Sequence, residues 1–122
     1  MHSAAVIVIG LVALLHFYFL ILEMFLWTKP SGMRAFRLDK ATAEQTKVLA
    51  ANQGLYNGFL SVGLVWSLFD TRPEVAQSVA VFFLTCVVIA GFYGAYSTKN
   101  KKIIFIQSAP AIVALALVVG GR

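Results

Sequence analysis

Four polar side chains interrupt an apolar stretch in the middle of this chain. Asn52, Gln53, Tyr56 and Asn57 fall within one short segment of a run that is otherwise long enough to cross a membrane. Amide groups in hydrocarbon are costly unless they find hydrogen-bond partners. The cluster therefore predicts a buried polar network or a wet cavity, and it marks where a ligand would bind.

Two ionisable residues lie in an earlier apolar run. Glu23 is the strongest candidate for chemistry, because a carboxylate inside a membrane is functional by default. The alternative is an anchoring ion pair with Lys47 or Arg34. Because an unpaired carboxylate at this depth is costly, Glu23 should contact polar residues of the second apolar segment or Lys47. His16 belongs to the residue type that best suits proton transfer near neutral pH, although a hydrogen-bonded core histidine is the alternative. One Glu and one His in the membrane are too few for a tight metal site, so we predict none.

Composition identifies the elements that must position these residues. The 122 residues are 60% hydrophobic and 12% charged, whereas soluble domains carry about 25% charged residues. Four apolar segments, at about 3–27, 48–69, 75–97 and 103–119, are each long enough to span a bilayer. A lone strand cannot satisfy its backbone in lipid, so all four should be helices. We therefore predict an all-α, four-transmembrane-helix bundle that forms a single domain, 1–122.

Local signals refine the ends of these segments. Thr42 and Gln45 have capping-box spacing, so the second segment should start before the membrane does. Thr71 and Glu74 have the same spacing before the third segment, with Pro73 in its first turn.

The loop after the first segment and the proline of the fourth segment also carry structural signals. Residues 31–37 could form a short surface helix, and an ordinary basic loop is the alternative. Pro110 should bend the fourth helix and release the carbonyl of Ile106 beside Gln107.

The distribution of basic residues predicts the orientation in the membrane. Eight lie in the two loops that join the first segment to the second and the third to the fourth: Lys29, Arg34, Arg37, Lys40, Lys47, Lys99, Lys101 and Lys102. The opposite side has Arg72 and Arg122. The positive-inside rule places both basic loops in the cytoplasm and both termini outside. Because the net charge of +5 is explained in this way, we predict no nucleic-acid partner.

This orientation collects the polar side chains in the cytoplasmic half of the membrane. At about 1.5 Å per helical residue, nearly all of them lie between the bilayer middle and the cytoplasmic boundary. We predict a cytoplasm-facing pocket whose ligand-binding residues are His16, Glu23, Lys47, Asn52, Gln53, Tyr56, Asn57, Tyr93 and Gln107. Pairs of small residues, Gly54 with Gly58 and Gly91 with Ala95, should let helices approach closely.

Several stretches closely resemble a bacterial family of small four-helix membrane proteins that is catalogued as a domain of unknown function. They are Leu15-His16 through Glu23-Met24-Phe25-Leu26-Trp27, Lys47 through Gly58, Ala90-Gly91-Phe92-Tyr93-Gly94, and Gln107 with Pro110. The resemblance covers nearly the whole chain, and its most specific part is Ala-Asn-Gln-Gly-Leu-Tyr-Asn-Gly. It implies a multi-pass protein of the bacterial inner membrane and supplies no activity or cofactor.

A looser resemblance is to the membrane-associated proteins of eicosanoid and glutathione metabolism. These share four helices, outside termini, a long basic cytoplasmic loop and a trimeric assembly. Lys47 and Asn52 match their second helix, but no Glu follows Asn52 there. Their glutathione-binding arginines have no clear counterparts in this sequence.

Three classes of function follow from these observations. The first is binding or transport of a small molecule in the predicted pocket. The second is a membrane enzyme that acts on a lipophilic substrate at the cytoplasmic leaflet, with Glu23 or His16 as acid or base. The third is an accessory subunit whose polar residues only fix packing. The polar faces of the first two helices are wide, so we also predict a homo-oligomer, with a trimer favoured by the looser resemblance.

Overall fold

The computed structural model describes residues 1–121, and within them the chain is helical with no strand. In order, the helices are α1 (Ser3–Met24), α2 (Pro30–Phe36), α3 (Lys40–Phe69), α4 (Pro73–Thr98) and α5 (Ala109–Gly120), with a π-helical turn at Ile104–Ser108 directly before α5. The predicted all-α class is confirmed. The chain divides into two compact units. We call Leu14–Ser61 the 14–61 unit, and residues 1–13 with 62–121 the terminal unit.

In the 14–61 unit, the chain after the first segment forms a short helix, α2, and not the ordinary loop that was the alternative. Pro30 occupies its first turn, where a missing N–H has no consequence. Gly32 is buried, and a Cβ atom there would overlap the carbonyl oxygen of Leu26. Arg37 closes the helix in the left-handed conformation, with φ 54° and ψ 49°. The Leu38 N–H then donates to the Met33 carbonyl at 2.9 Å, which satisfies a carbonyl of the last turn.

The start of α3 differs from the predicted capping box. The helix begins at Lys40, and the Asp39 carboxylate accepts the Thr42 N–H at 2.7 Å. The box between Thr42 and Gln45 is therefore wrong, because Asp39 provides a charged acceptor three residues earlier. The same hydrogen bond lowers the pKa of Asp39. As expected, α3 starts well before the apolar part of its sequence.

In the terminal unit, Asp70 organises the link between α3 and α4. Its carboxylate accepts hydrogen bonds from the Arg72 guanidinium at 2.7 Å and from the Trp66 indole at 2.9 Å. These contacts hold the pKa of Asp70 well below its usual range, with the Arg72 side chain as the largest cause. Pro73 lies in the first turn of α4 as predicted. The capping box of Thr71 and Glu74 is wrong, because Arg72 occupies the cap position without a side-chain cap bond.

The segment before Pro110 is a π-helical turn. Here the Ala109 N–H donates to the Ile104 carbonyl, five residues earlier. Proline cannot supply the N–H that a regular α-helix needs at this point, and a wider turn rearranges the preceding hydrogen bonds. The turn and α5 both pack against α4. Gly91 of α4 is buried against Ser108, whose hydroxyl donates to the Val88 carbonyl at 2.9 Å.

The chain buries polar side chains and exposes apolar ones. Completely or almost completely buried polar residues include His16, Glu23 and Ser67, whereas Ile7 and Leu14 of α1 are more than half exposed. Within residues 1–121, Ser3–Met24 and Pro73–Thr98 are long and apolar enough to cross a membrane, and residues 104–120 form a shorter apolar helix. The helix α3 is longer but is less apolar, because its polar cluster interrupts it. Arg122, counted above on the outer side, lies outside the described residues.

Candidate functional site

The centre of the candidate site is the carboxylate of Glu23 on α1. Its side chain is 2% exposed. The Gln53 amide of α3 donates to Oε2 at 2.6 Å, and the Asn57 amide donates to Oε1 at 2.5 Å. Asn57 is itself only 8% exposed. The prediction that Glu23 contacts polar residues of the second segment is therefore confirmed, and both carboxylate oxygens have a partner.

Two glycines of α3 permit this contact. A Cβ atom on Gly54 would lie 2.6 Å from Met24 Cγ and 3.0 Å from Glu23 Cβ. A Cβ atom on Gly58 would lie 2.7 Å from Leu20 Cδ1. At Gly54 these atoms lie near the α1 backbone and cannot easily move, so glycine is needed for the approach of α1 to α3. At Gly58 the near atom is the end of the flexible Leu20 side chain, so the requirement for glycine is weaker there. The predicted role of the Gly54 and Gly58 pair in close helix approach is confirmed.

The other polar residues of the cluster have different partners. The Asn52 amide is exposed and donates to the Val48 carbonyl of its own helix at 3.1 Å. Lys47 pairs with Glu44 at 3.3 Å, so Glu23 is held by amides and not by the alternative ion pair. Tyr56 is exposed, with its ring 6.1 Å from that of Phe59. Helical spacing explains the division, because residues 53 and 57 share a face that residues 52 and 56 do not.

The remaining predicted site residues lie elsewhere along the helices. His16 is completely buried in the 14–61 unit, and its ring meets that of Phe19 edge-on at 5.6 Å. Tyr93 and Gln107 belong to the terminal unit. Tyr93 is exposed on α4 beside Tyr96, and Gln107 is half-buried in the π-helical turn.

An open cleft of about 390 Å³ lies beside the Glu23 cluster within the 14–61 unit. Its lining combines polar and apolar side chains from the end of α1 and from α3: Glu23, Met24, Phe25, Trp27, Thr28, Lys47, Val48, Ala51 and Asn52. Five predicted ligand-binding residues thus contribute to the cleft or to the hydrogen bonds of the Glu23 carboxylate. Glu23, Lys47 and Asn52 line the cleft, whereas Gln53 and Asn57 donate to the carboxylate.

Trp27 and Thr46 form a second contact between the loop after α1 and α3. The indole N–H donates to Thr46 Oγ1 at 3.0 Å, and Thr46 Oγ1 donates to the Thr42 carbonyl at 2.7 Å. Thr46 is not among the predicted site residues. Its position seven residues before Gln53 and eleven before Asn57 is a helical-face signal that would have identified it.

The arrangement can accept hydrogen bonds and can attract cations, because a carboxylate lies at one side of a partly apolar cleft. Its two amide donors fix the orientation of the carboxylate before any ligand arrives. Within residues 1–121, no three His, Cys, Asp or Glu side chains group closely enough to hold a metal ion.

Comparison with known proteins identifies the family. The family described as "Protein of unknown function (DUF1304)" matches residues 10–119. The chain is 36% identical over 107 residues to "Uncharacterized protein YpaA" of Lactococcus lactis subsp. lactis (strain IL1403), a match that covers 86% of this chain and 87% of that relative. No solved structure matches. The resemblance to a bacterial family of unknown function is therefore confirmed, and the chain belongs to the DUF1304 family.

Proposed function

We propose that this protein is a multi-pass membrane protein that binds a small molecule in the cleft beside Glu23. Insertion in a bilayer is supported by exposed apolar side chains on every long helix, for example Leu11, Val62 and Ile89. In water such surfaces are unfavourable, whereas in lipid they are the ordinary outer surface of a helix. In this proposal α3 and the α5 segment cross the membrane together with α1 and α4.

One observation carries the binding proposal. A buried carboxylate, with each oxygen held by a separate amide, lines an open cleft. Polar residues that only join two helices have no need of a neighbouring cavity. The two amides also leave lone pairs on the Glu23 oxygens, since each carboxylate oxygen can accept more than one hydrogen bond. A ligand group that donates a hydrogen bond can therefore reach a fixed acceptor.

The lining suggests an amphiphilic ligand. Met24, Phe25 and Val48 provide apolar surface, whereas Lys47 and Asn52 provide polar groups at the same cleft. Sites of this kind usually bury the apolar body of a ligand and orient it with a few polar contacts. We propose that a donor group of the ligand meets Glu23 and that its apolar part lies along the α1 end of the cleft.

The cleft should open toward the cytoplasm. Five basic residues lie between Lys29 and Lys47, in the loop and the helices next to the cleft. The positive-inside rule favours the cytoplasm for such a segment. In a bacterium this places the protein in the inner membrane with both termini outside.

The test blocks the cleft without changing the polar cluster. Ala51 lines the cleft on α3, so Ala51→Leu should fill part of it. Ala41→Leu is the matched control, because it adds the same side chain at an exposed position of the same helix. Native mass spectrometry should detect a small molecule that co-purifies with the wild type and with Ala41→Leu, and that is lost with Ala51→Leu.

A second readout covers ligands that dissociate during purification. Trp27 lines the cleft, and Trp66 is the only other tryptophan, so all samples carry Trp66→Phe. An organic extract of the producing cells should change the Trp27 emission of the Ala41→Leu protein and leave that of Ala51→Leu unchanged. Equal responses of the two variants, in both measurements, would contradict the binding proposal.

A further inference from the structure

The short helix α2 and its flanks carry an array of exposed basic side chains. Lys29, Arg34, Arg37 and Lys40 are all exposed. Within residues 1–121 the ion pairs join Lys47 to Glu44 and Arg72 to Asp70, so no carboxylate in that part of the chain neutralises these four. None of the four is therefore held in an ion pair.

The acidic residues nearby leave this array largely intact. Asp39 lies between two of its members, and its carboxylate accepts the N–H of Thr42 at the start of α3. Glu44 is paired with Lys47 at 3.3 Å. The segment from residue 29 to residue 47 holds five basic and two acidic residues, so five positive charges against two negative ones leave it with a net charge of +3.

Packing holds α2 in a fixed place in the 14–61 unit. Gly32 lies against the backbone of Leu26 and Trp27. The Phe36 ring is 4.8 Å from that of Trp27, whose indole N–H is bonded to Thr46. The two arginines of the array therefore lie on or directly after a helix that is packed against Leu26 and Trp27, unlike charges on a free loop.

Arg37 stands in a backbone conformation that favours glycine. Its φ of 54° closes α2, a position where glycine is the usual residue. An arginine there places a guanidinium at the end of the helix at some conformational cost. Lys99 ends α4 in the same conformation, with φ 57°, so a variant at Lys99 is a matched control for one at Arg37.

We infer that this array, Lys29, Arg34, Arg37 and Lys40, binds the phosphate groups of anionic phospholipids at the membrane surface. The inference rests on the proposed membrane location and is independent of the ligand of the cleft. Basic clusters next to the end of a membrane helix attract anionic lipids, and guanidinium groups match phosphate with two parallel hydrogen bonds. Basic residues that only set the orientation of the protein in the membrane need positive charge and do not need to be held on a packed helix.

The experiment compares lipid binding by the full-length protein in detergent, measured by native mass spectrometry. The probes are dioleoyl phosphatidylglycerol and dioleoyl phosphatidylcholine at equal concentrations. The test variant is Arg34→Gln with Arg37→Gln. The matched control, Lys99→Gln with Lys101→Gln, removes two exposed basic residues from the other basic loop, and every sample is checked for an unchanged helical spectrum.

We expect the wild type to bind phosphatidylglycerol more tightly than phosphatidylcholine. The arginine variant should lose roughly fivefold in phosphatidylglycerol affinity per removed cation, from about 1 kcal/mol per residue, while the lysine variant loses clearly less. Binding of phosphatidylcholine should not change in either variant. Equal losses in both variants, or no preference in the wild type, would overturn the inference. Absence of binding to both lipids would instead contradict the membrane location on which it rests.

Discussion

The replacement of Asn57 by leucine tests the polar cluster most sharply. Asn57→Leu keeps the branched shape of the side chain but removes the donor that lies 2.5 Å from Glu23 Oε1. A buried group left without its partner costs about 1–3 kcal/mol, toward the upper end when the group is charged. Interhelical hydrogen bonds measured in membranes average about 0.6 kcal/mol, with a maximum near 1.7. Because Glu23 is 2% exposed, we expect a loss of about 1–2 kcal/mol.

Asn52→Leu is the matched control for this prediction. It makes the same chemical change five residues earlier on α3, at an exposed amide that donates to the carbonyl of Val48 in its own helix. Its effect on the free energy of unfolding should stay within about 0.5 kcal/mol. Reversible unfolding in mixed micelles, followed by circular dichroism, measures both variants.

The pair of variants can refute the reasoning in two ways. Equal destabilisation by Asn52→Leu and Asn57→Leu would mean that the hydrogen bond from Asn57 to Glu23 contributes no more to stability than the exposed Asn52 amide. A double-mutant cycle with Glu23→Leu gives the second test, because residues that interact directly should show a coupling of about 0.5–3 kcal/mol. Additive effects of Glu23→Leu and Asn57→Leu would show that the two side chains do not interact in the folded protein.

Three further predictions concern local packing and charge. Gly54→Ala should destabilise the protein by about 1–3 kcal/mol through overpacking against α1, whereas Gly120→Ala, with open space around it, should be nearly neutral in the same unfolding assay. Gly32→Ala should detach α2, which hydrogen–deuterium exchange would detect as faster exchange across Pro30–Phe36. Arg72 lowers the pKa of Asp70 in the folded protein. The ionised Asp70 carboxylate therefore stabilises the fold fully above its unfolded pKa near 3.9, and this stabilisation is lost as the pH falls through the folded pKa. Asp70→Asn should therefore flatten the decrease in melting temperature below about pH 4.

Most of the helical framework could be predicted from the sequence, because apolar length and basic loops are strong signals. The precise helix starts could not. Asp39 lies three residues before Thr42, and its carboxylate caps α3 by accepting the Thr42 N–H. The spacing of Thr42 and Gln45 fits a capping box equally well, and spacing alone does not show which acceptor is stronger. The π-helical turn before Pro110 was also beyond prediction, since the proline signal indicates a disturbance without specifying its form.

The sequence indicated which residues belong to the candidate site better than it indicated which of them bond to each other. Glu23 and the amide cluster were evident as polar groups in apolar sequence. Which amides reach the carboxylate depends on the face of α3 that meets α1, and Gly54 fixes that face by close approach. The sequence places Asn52 with Tyr56 on one face of α3 and Gln53 with Asn57 on the adjacent face, and it does not show which of the two lies against α1. Exposed Tyr56 shows the same ambiguity, because its residue type fits both a pocket and a lipid-facing surface.

Cysteine labelling tests the central claim, a cleft beside Glu23 that opens to the cytoplasm, most directly. In a Cys86→Ser background, Asn52→Cys places a thiol in the cleft wall, and Thr71→Cys places one in the exposed link before α4. We expect a membrane-impermeant maleimide to label Asn52→Cys in inverted vesicles but not in intact spheroplasts, and Thr71→Cys in the opposite pattern. Labelling of Asn52→Cys from the outside, or from neither side, would contradict a cytoplasm-facing cleft.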